Sequence, residues 1–274
     1  MLRSLKDLDR YAVTATDGDI GHVANFLFDD QRWVVRYLVA DTARLFELRR
    51  EVLISPISFR EIDWNGTRFH LGLSKSKVRE SPDVDTALPV SRQYEREYYR
   101  YYGYPYYWGD TGDWGAAAYP DGLFEGAWAE ATSAEPAKDN DPHLRSANEV
   151  RGYHVEGRDG AIGHIHDFVV DDRTWKIRYL VLDTSNWWLG KKVLVAPGWV
   201  SSVVWPEKKV HVDLSRQAIK DSPPWTPEAG VNREYETRLY DFYGRPVYWD
   251  DGLPIVPPLA RSAGGRAARG EGRT

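Results

Sequence analysis

The sequence predicts an all-β protein made of two tandem, small β-barrels with about six strands each, every barrel being followed by a short aromatic helix. Three observations predict this fold: an internal repeat, short strand-like runs separated by turn residues, and two tyrosine-rich segments with clear helix ends. The chain has 274 residues. Domains commonly contain about 100–150 residues, so two domains are expected.

The internal repeat emerges when the sequence is aligned with itself at a spacing of 142 positions, which becomes 141 after one deletion. Residues 17–22 (Asp-Gly-Asp-Ile-Gly-His) then coincide with 159–164 (Asp-Gly-Ala-Ile-Gly-His), and both 36–39 and 178–181 read Arg-Tyr-Leu-Val. The period is much longer than the roughly 20–50 residues of solenoid repeats, so each copy is expected to hold its own core.

The strand prediction rests on alternation. Trp33, Val35, Tyr37 and Val39 fall on one face of an extended chain, as the residues of a half-buried strand do. Asp-Gly and Asn-Gly pairs, which favour tight hairpin turns, separate such runs. The resulting strands, about six per copy, suit a closed barrel without free edges.

The two predicted helices have recognisable ends. Ser91 and Asn232 are suitable N-cap residues, and Gly103 and Gly244 are suitable C-terminal stops. Isolated helices shorter than about 12–15 residues are marginal in water, so the tyrosine face of each helix is expected to pack against a barrel wall.

These signals divide the chain into six predicted segments. Residues 109–143 contain eight acidic residues and one lysine, and the last eleven residues contain four glycines. Such compositions are typical of linkers and disordered tails. The segments are a barrel (1–82), an aromatic helical arm (83–108), an acidic linker (109–143), a second barrel (144–223), a second arm (224–249) and a disordered Arg/Gly tail (250–274).

Several motifs occur in both copies, namely Asp-Gly-x-Ile-Gly-His, Asp-Asp-x-x-Trp and Arg-Tyr-Leu-Val-x-Asp-Thr. In the first copy they are followed by Val-Leu-Ile-Ser-Pro at 52–56. This pattern resembles the PRC-barrel family, which is similar to the cytoplasmic domain of the photosynthetic reaction-centre H subunit and to the C-terminal domain of RimM. The resemblance implies two tandem six-stranded barrels that serve protein contact, and it supplies no common catalytic residues.

Composition excludes several kinds of chemistry. The chain has no cysteine, which excludes disulfides, thiolate nucleophiles and cysteine-ligated metal centres. It has no run of roughly 18 apolar residues, and residues 1–7 lack the apolar stretch of a secretory signal. We therefore expect a cytoplasmic protein without membrane insertion.

No catalytic constellation with convincing spacing occurs in the sequence, so we expect neither an enzyme nor a cofactor. His154, His164 and His166 are a weak candidate for a divalent metal, because alternate residues of a hairpin share a face. The first copy has Ala12 and Ala24 where the second has His154 and His166, so no metal site is expected.

A protein partner or self-association is the expected interaction. The hairpin tips between the third and fourth strands are unusually apolar, whereas such tips are normally polar. They would either form an interface or pack within the chain. The candidate partner-binding residues are Trp187, Trp188 and Leu189, with Leu45, Phe46 and Leu48 as a weaker second contact.

Nucleic acid is not expected as a partner. Arg36, Arg178 and the pairs at 49–50 and 191–192 are the cations of a possible basic patch. The acidic linker lies beside them in the sequence, and nucleic-acid binding depends mostly on clustered positive charge.

The sequence thus predicts a non-catalytic interaction or assembly module. Two alternatives follow from the resemblance alone. One is an accessory protein of photosynthetic complexes similar to the H subunit, acting in assembly of the light-reaction electron-transfer complex. The other is a maturation factor associated with RNA or the ribosome.

Overall fold

The computed structural model describes residues 1–42, 50–83, 90–108, 112–123, 143–184 and 191–249, and these ranges are mostly β. Their strands are β1 (Leu2–Ser4), β2 (Ala12–Ala15), β3 (Gly18–Asp29), β4 (Val34–Asp41), β5 (Glu51–Ile54), β6 (Phe59–Asp63), β7 (Arg68–Leu71), β8 (Leu144–Ser146), β9 (His154–Gly157), β10 (Gly160–Asp171), β11 (Ile177–Asp183), β12 (Lys192–Val195), β13 (Val200–Val204) and β14 (Lys209–Val212). Their α-helices are α1 (Lys75–Arg79), α2 (Arg92–Tyr102), α3 (Ala147–Val150), α4 (Arg216–Asp221) and α5 (Arg233–Tyr243).

The strands form two seven-stranded sheets with the same internal order. The first sheet runs β5-β4-β3-β2-β7-β6, and the second runs β12-β11-β10-β9-β14-β13. Each contains one parallel pair, β2 with β7 and β9 with β14. The repeat in the sequence is therefore also a repeat in sheet topology.

The seventh strand of each sheet comes from the other copy. β1 pairs antiparallel with β10 of the second sheet, and β8 pairs antiparallel with β3 of the first. Leu5, which follows β1, is fully buried, and its N–H donates to the carbonyl oxygen of Phe168 at 2.9 Å. Each copy was expected to hold its own core, whereas the structure joins the two through this reciprocal exchange of strands.

The prediction of closed barrels is not supported by the structure. In the described residues the edge strands β5 and β6 do not pair with each other. The chain leaves β5 at Ser55, whose N–H donates to the Tyr98 hydroxyl at 2.9 Å, and Pro56 then opens a 3-10 turn. A tyrosine hydroxyl of α2 thus accepts the hydrogen bond of the backbone N–H next to the sheet edge. Pro56 has no N–H, so the strand ladder does not continue past this point.

Both aromatic helices end at the residues that the sequence indicates. The Ser91 side chain accepts from the N–H of Tyr94 at 3.2 Å, and Asn232 caps α5 in the same way. Gly103 and Gly244 adopt left-handed φ values of 72° and 60°, which glycine accommodates without a Cβ clash. Tyr98 and Tyr99 of α2 are fully buried, and the Tyr98 ring makes an edge contact with the ring of Tyr37 in the sheet, at a centroid distance of 5.1 Å.

Part of the predicted acidic linker packs against the second copy. Trp114 is fully buried, and its indole N–H donates to the carbonyl oxygen of Thr174 at 2.7 Å. Lys176 Nζ lies 2.9 Å from a carboxylate oxygen of Asp113.

The six segment boundaries drawn from the sequence stay a prediction. Within the described ranges, no helix has the length and apolar character needed to span a bilayer.

Candidate interaction surface

The two Asp-Asp-x-x-Trp turns, at 29–33 and 171–175, lie next to each other where the copies join, and their backbones are hydrogen-bonded across the junction. Trp33 and Trp175 both adopt left-handed backbone conformations, with φ of 56° and 60°. The N–H of Val35 donates to the carbonyl oxygen of Trp175 at 2.8 Å, and the N–H of Ile177 donates to that of Trp33 at 2.7 Å. Left-handed conformations are costly for a bulky residue, so contacts across the junction must hold both turns in place.

Trp175 of the second copy inserts into the core of the first. Its ring centroid lies 5.2 Å from that of Phe59, 6.1 Å from Phe69 and 6.2 Å from Phe26, and the side chain is 2 % exposed. Burial of such a ring among other aromatic rings is a large stabilising contribution.

Trp33 occupies the equivalent position in the first copy, but it is only half-buried. The residues of the second copy that correspond to Phe59 and Phe69 are Val200 and Val210. Valine is much smaller than phenylalanine, so the second copy does not enclose Trp33 as completely. Trp33 lines a groove between the two copies.

We call this cavity the Trp33 groove. It has a volume of about 270 Å³ and lies between the two copies. Its lining combines two tryptophans, three aliphatic or proline side chains, two serines and one carboxylate: Asp30, Trp33, Pro197, Val200, Ser201, Ser202, Val203 and Trp205.

The corresponding cavity at the other side of the junction is the Trp175 groove, with a volume of about 460 Å³. The chain following α2 forms one of its walls, with Tyr119, Pro120 and Asp121, and the Arg173 guanidinium lies 4.7 Å from the Tyr119 ring centroid. In the described residues no such segment borders the Trp33 groove. The rest of the lining is Pro56, Phe59, Arg60, Glu61, Ile62, Trp64, Asp172 and Trp175.

The exchanged strands brace the walls of both grooves. Arg145 of β8 binds Asp30 with an Nε–Oδ2 distance of 2.7 Å, and its guanidinium lies 4.0 Å from the centroid of the Trp205 ring. Burial raises the pKa of Asp30, although Arg145 opposes this effect. The same arrangement recurs in the other groove with Arg3, Asp172 and Trp64.

Away from the grooves, a buried carboxylate anchors each aromatic helix. Glu95 is fully buried and accepts hydrogen bonds from the hydroxyls of Tyr37 and Tyr107 at 3.0 and 2.8 Å, while Arg92 lies 2.9 Å from its other oxygen. Burial and the nearby Glu95 carboxylate raise the pKa values of both tyrosines, so they remain protonated donors. Glu236 is held in the same way by Tyr179 and Tyr248, at 2.7 Å each.

The three histidines considered as metal ligands are not brought together. His154 and His164 are paired across β9 and β10, but Nε2 of His166 lies 3.0 Å from Nζ of Lys192. Burial and Lys192 lower the pKa of His166, which favours the neutral ring that accepts this hydrogen bond. Among the described residues, no group of three or more His, Cys, Asp or Glu is arranged to hold a metal ion.

The apolar hairpin tips, which contain Leu45, Phe46, Leu48, Trp187, Trp188 and Leu189, lie outside the described residues. Their role in partner binding therefore stays a prediction.

Sequence reasoning missed the Trp33 groove. The replacement of Phe59 by Val200 in the second copy was the available signal, but it acquires meaning only when Trp33 and Val200 are known to line the same groove.

Comparison with protein families identifies one domain. Residues 142–218 match the family model of the PRC-barrel domain. This range spans every strand from β8 to β14, so the second part of the chain contains a PRC-barrel domain. No curated protein matches the chain.

Proposed function

We propose that the protein is a non-catalytic interaction and assembly module built from two tandem PRC-barrel copies, whose Trp33 groove binds an extended, proline-containing segment of a partner protein. The shared order of the two sheets and the shared motifs support the assignment of the first copy to the same domain type.

The observation that carries the proposal is the pair of equivalent grooves. One of them already has an irregular segment with a Tyr-Pro pair, at Tyr119 and Pro120, as part of its wall. Aromatic-lined grooves are well suited to proline-rich segments, because such segments are extended before binding and lose little entropy. Trp33 and Trp205 supply the aromatic surfaces of the Trp33 groove.

Of the charged residues considered for nucleic-acid binding, Arg36, Arg50 and Lys191 are engaged within the chain. Arg36 is fully buried, and its Nη2 lies 3.1 Å from the Asp29 carboxylate. Arg50 binds Asp83 at 2.8 Å, and Lys191 donates to the carbonyl oxygen of Lys220 at 2.8 Å. These contacts favour a protein partner over RNA, because RNA binding draws on available positive charge.

The proposal is tested by capturing partners from the native cell with the purified chain and with a variant, Val203→Glu, which places a charge in the Trp33 groove. The matched control is Ile62→Glu, the equivalent position of the Trp175 groove. We expect a partner that is identified by mass spectrometry, rebinds as a purified protein, and is lost only with Val203→Glu. Equal recovery with both variants would contradict the assignment of the groove.

The hairpin tips are tested in the same assay with the double variant Trp187→Ala, Trp188→Ala. Loss of the partner with unchanged thermal stability would make the tip a second contact. Lost stability would mean that the tip packs within the chain.

A further inference from the structure

We infer that the chain carries its own occupant for the Trp33 groove: residues 253–258, Leu-Pro-Ile-Val-Pro-Pro, dock there and compete with the partner segment. This inference rests on the proposed function, since it assigns a regulation to the same groove.

The internal repeat points to the part of the chain that follows Trp249. After the first aromatic helix the chain passes Trp108 and reaches the Trp175 groove at Tyr119, where the 3-10 turn Asp121–Leu123 contacts the turn Pro56–Ser58. Trp249 is the counterpart of Trp108, and residues 250–274 follow it. At the repeat spacing of 141, Tyr119–Asp121 correspond to residues 260–262 of this tail, and residues 253–258 precede them. The part of the tail that follows Trp249 is therefore the segment expected near the Trp33 groove.

The chain leaves the second aromatic helix close to that groove. The ring of Tyr240 lies 5.2 Å from the ring of Trp199 and 5.3 Å from that of Trp249. Trp199 belongs to the 3-10 turn that begins at Pro197, which lines the groove. Four extended residues span about 13 Å, so Leu253 can lie up to that distance from Trp249, on the side of the helix that packs on this turn.

The chemistry of the two grooves differs in a way that matches the two segments. The Trp175 groove carries Arg60, Glu61 and Arg173 beside a segment that contains Tyr119 and Asp121. The counterparts of those three charged residues in the second site are Ser201, Ser202 and Gln31, all of them neutral.

Residues 253–258 are also uncharged. They contain Pro254 and Pro257 at the spacing Pro-x-x-Pro, the pattern that aromatic-lined grooves recognise. An apolar segment therefore meets a groove with two tryptophans whose one carboxylate, Asp30, is already bound by Arg145, so no charge has to be buried without a partner.

The absence of cysteine allows a direct test in the full chain. Ser202 lines the Trp33 groove and is exposed in the described structure, so Ser202→Cys supplies a single thiol there. Its alkylation by iodoacetamide is compared between the native tail and a tail with Leu253→Ser, Ile255→Ser and Val256→Ser. If the segment is docked most of the time, alkylation is about 10-fold slower with the native tail, because the rate follows the open fraction.

Glu61→Cys in the Trp175 groove is the matched control, and the tail substitutions are expected to leave its rate unchanged. Equal rates for Ser202→Cys with the two tails would overturn the inference. Protection that increases with protein concentration would also overturn it, since the occupant would then be a second copy.

The two proposals fail separately. Protection of Ser202→Cys combined with undiminished partner capture by Val203→Glu would leave the tail as occupant and remove the partner function. Partner loss in Val203→Glu without protection would leave the partner function and remove the tail.

Discussion

Trp175→Ala tests the interlocking of the two copies most directly. The ring belongs to the second copy but packs among Phe26, Phe59 and Phe69 of the first. Replacing a fully buried tryptophan by alanine costs about 3–5 kcal/mol, through lost transfer energy and the cavity left behind. Because the ring belongs to one copy and its surroundings to the other, we expect both to lose stability together.

Trp33→Ala is the matched control. Trp33 has nearly the same backbone conformation, with φ of 56° against 60°, so the cost of a left-handed alanine is similar in both variants. It is only half-buried, and its ring contacts Phe28 at 5.5 Å. Since less apolar surface returns to water, we expect a loss of about 1–2 kcal/mol.

The assay is urea denaturation followed by far-UV circular dichroism, with the melting temperature as a second readout. At roughly 2–4 °C per kcal/mol for a chain of this size, Trp175→Ala is expected to lower the melting temperature by about 6–20 °C. A single shifted transition supports the interlocked core. A Trp175→Ala loss no larger than that of Trp33→Ala, or two separate transitions of which only one shifts, would refute the reasoning.

Two further predictions follow from the exchange of strands and from the buried acid Asp29. A specific protease site placed after Glu130 should yield fragments that stay associated in gel filtration, because β1 and β8 each belong to the other sheet; separate elution in native buffer would contradict this. The pKa of Asp29 is lowered although burial raises it, because Arg36 and the Arg32 N–H outweigh burial. Its ionised form therefore stabilises the fold above pH of about 4, and this contribution is lost as the pH falls through the folded-state pKa. Asp29→Asn should lower stability at pH 7 and flatten the acid limb of urea unfolding below pH of about 4, and an unchanged limb would count against the prediction.

The sequence by itself determined most of the local structure. The caps at Ser91 and Asn232 and the stops at Gly103 and Gly244 were predictable, because each depends on a side chain or glycine within a few residues of the helix end. The repeat likewise predicted two units of equal architecture, and the sheets have the same strand order. The structure does not show the predicted closure into barrels.

The candidate site was determined only by the tertiary structure. Trp33 of one copy and Val200, Val203 and Trp205 of the other line the Trp33 groove together, and no local pattern records which residues face each other across the junction. The linings of the two grooves differ at equivalent positions of the two copies, which are 141 or 142 residues apart in the sequence.

The exchange of strands shows the physical reason most clearly. β1 and β8 have the same sequence, Leu-Arg-Ser, and the strands that receive them, β10 and β3, share the same motifs. β1 and β8 are each chemically suited to either sheet. Local sequence therefore cannot select between pairing within a copy and pairing across copies. The choice depends on how the two copies pack as whole bodies, with Trp175 inserted and Arg3 and Arg145 bound to the opposite copy.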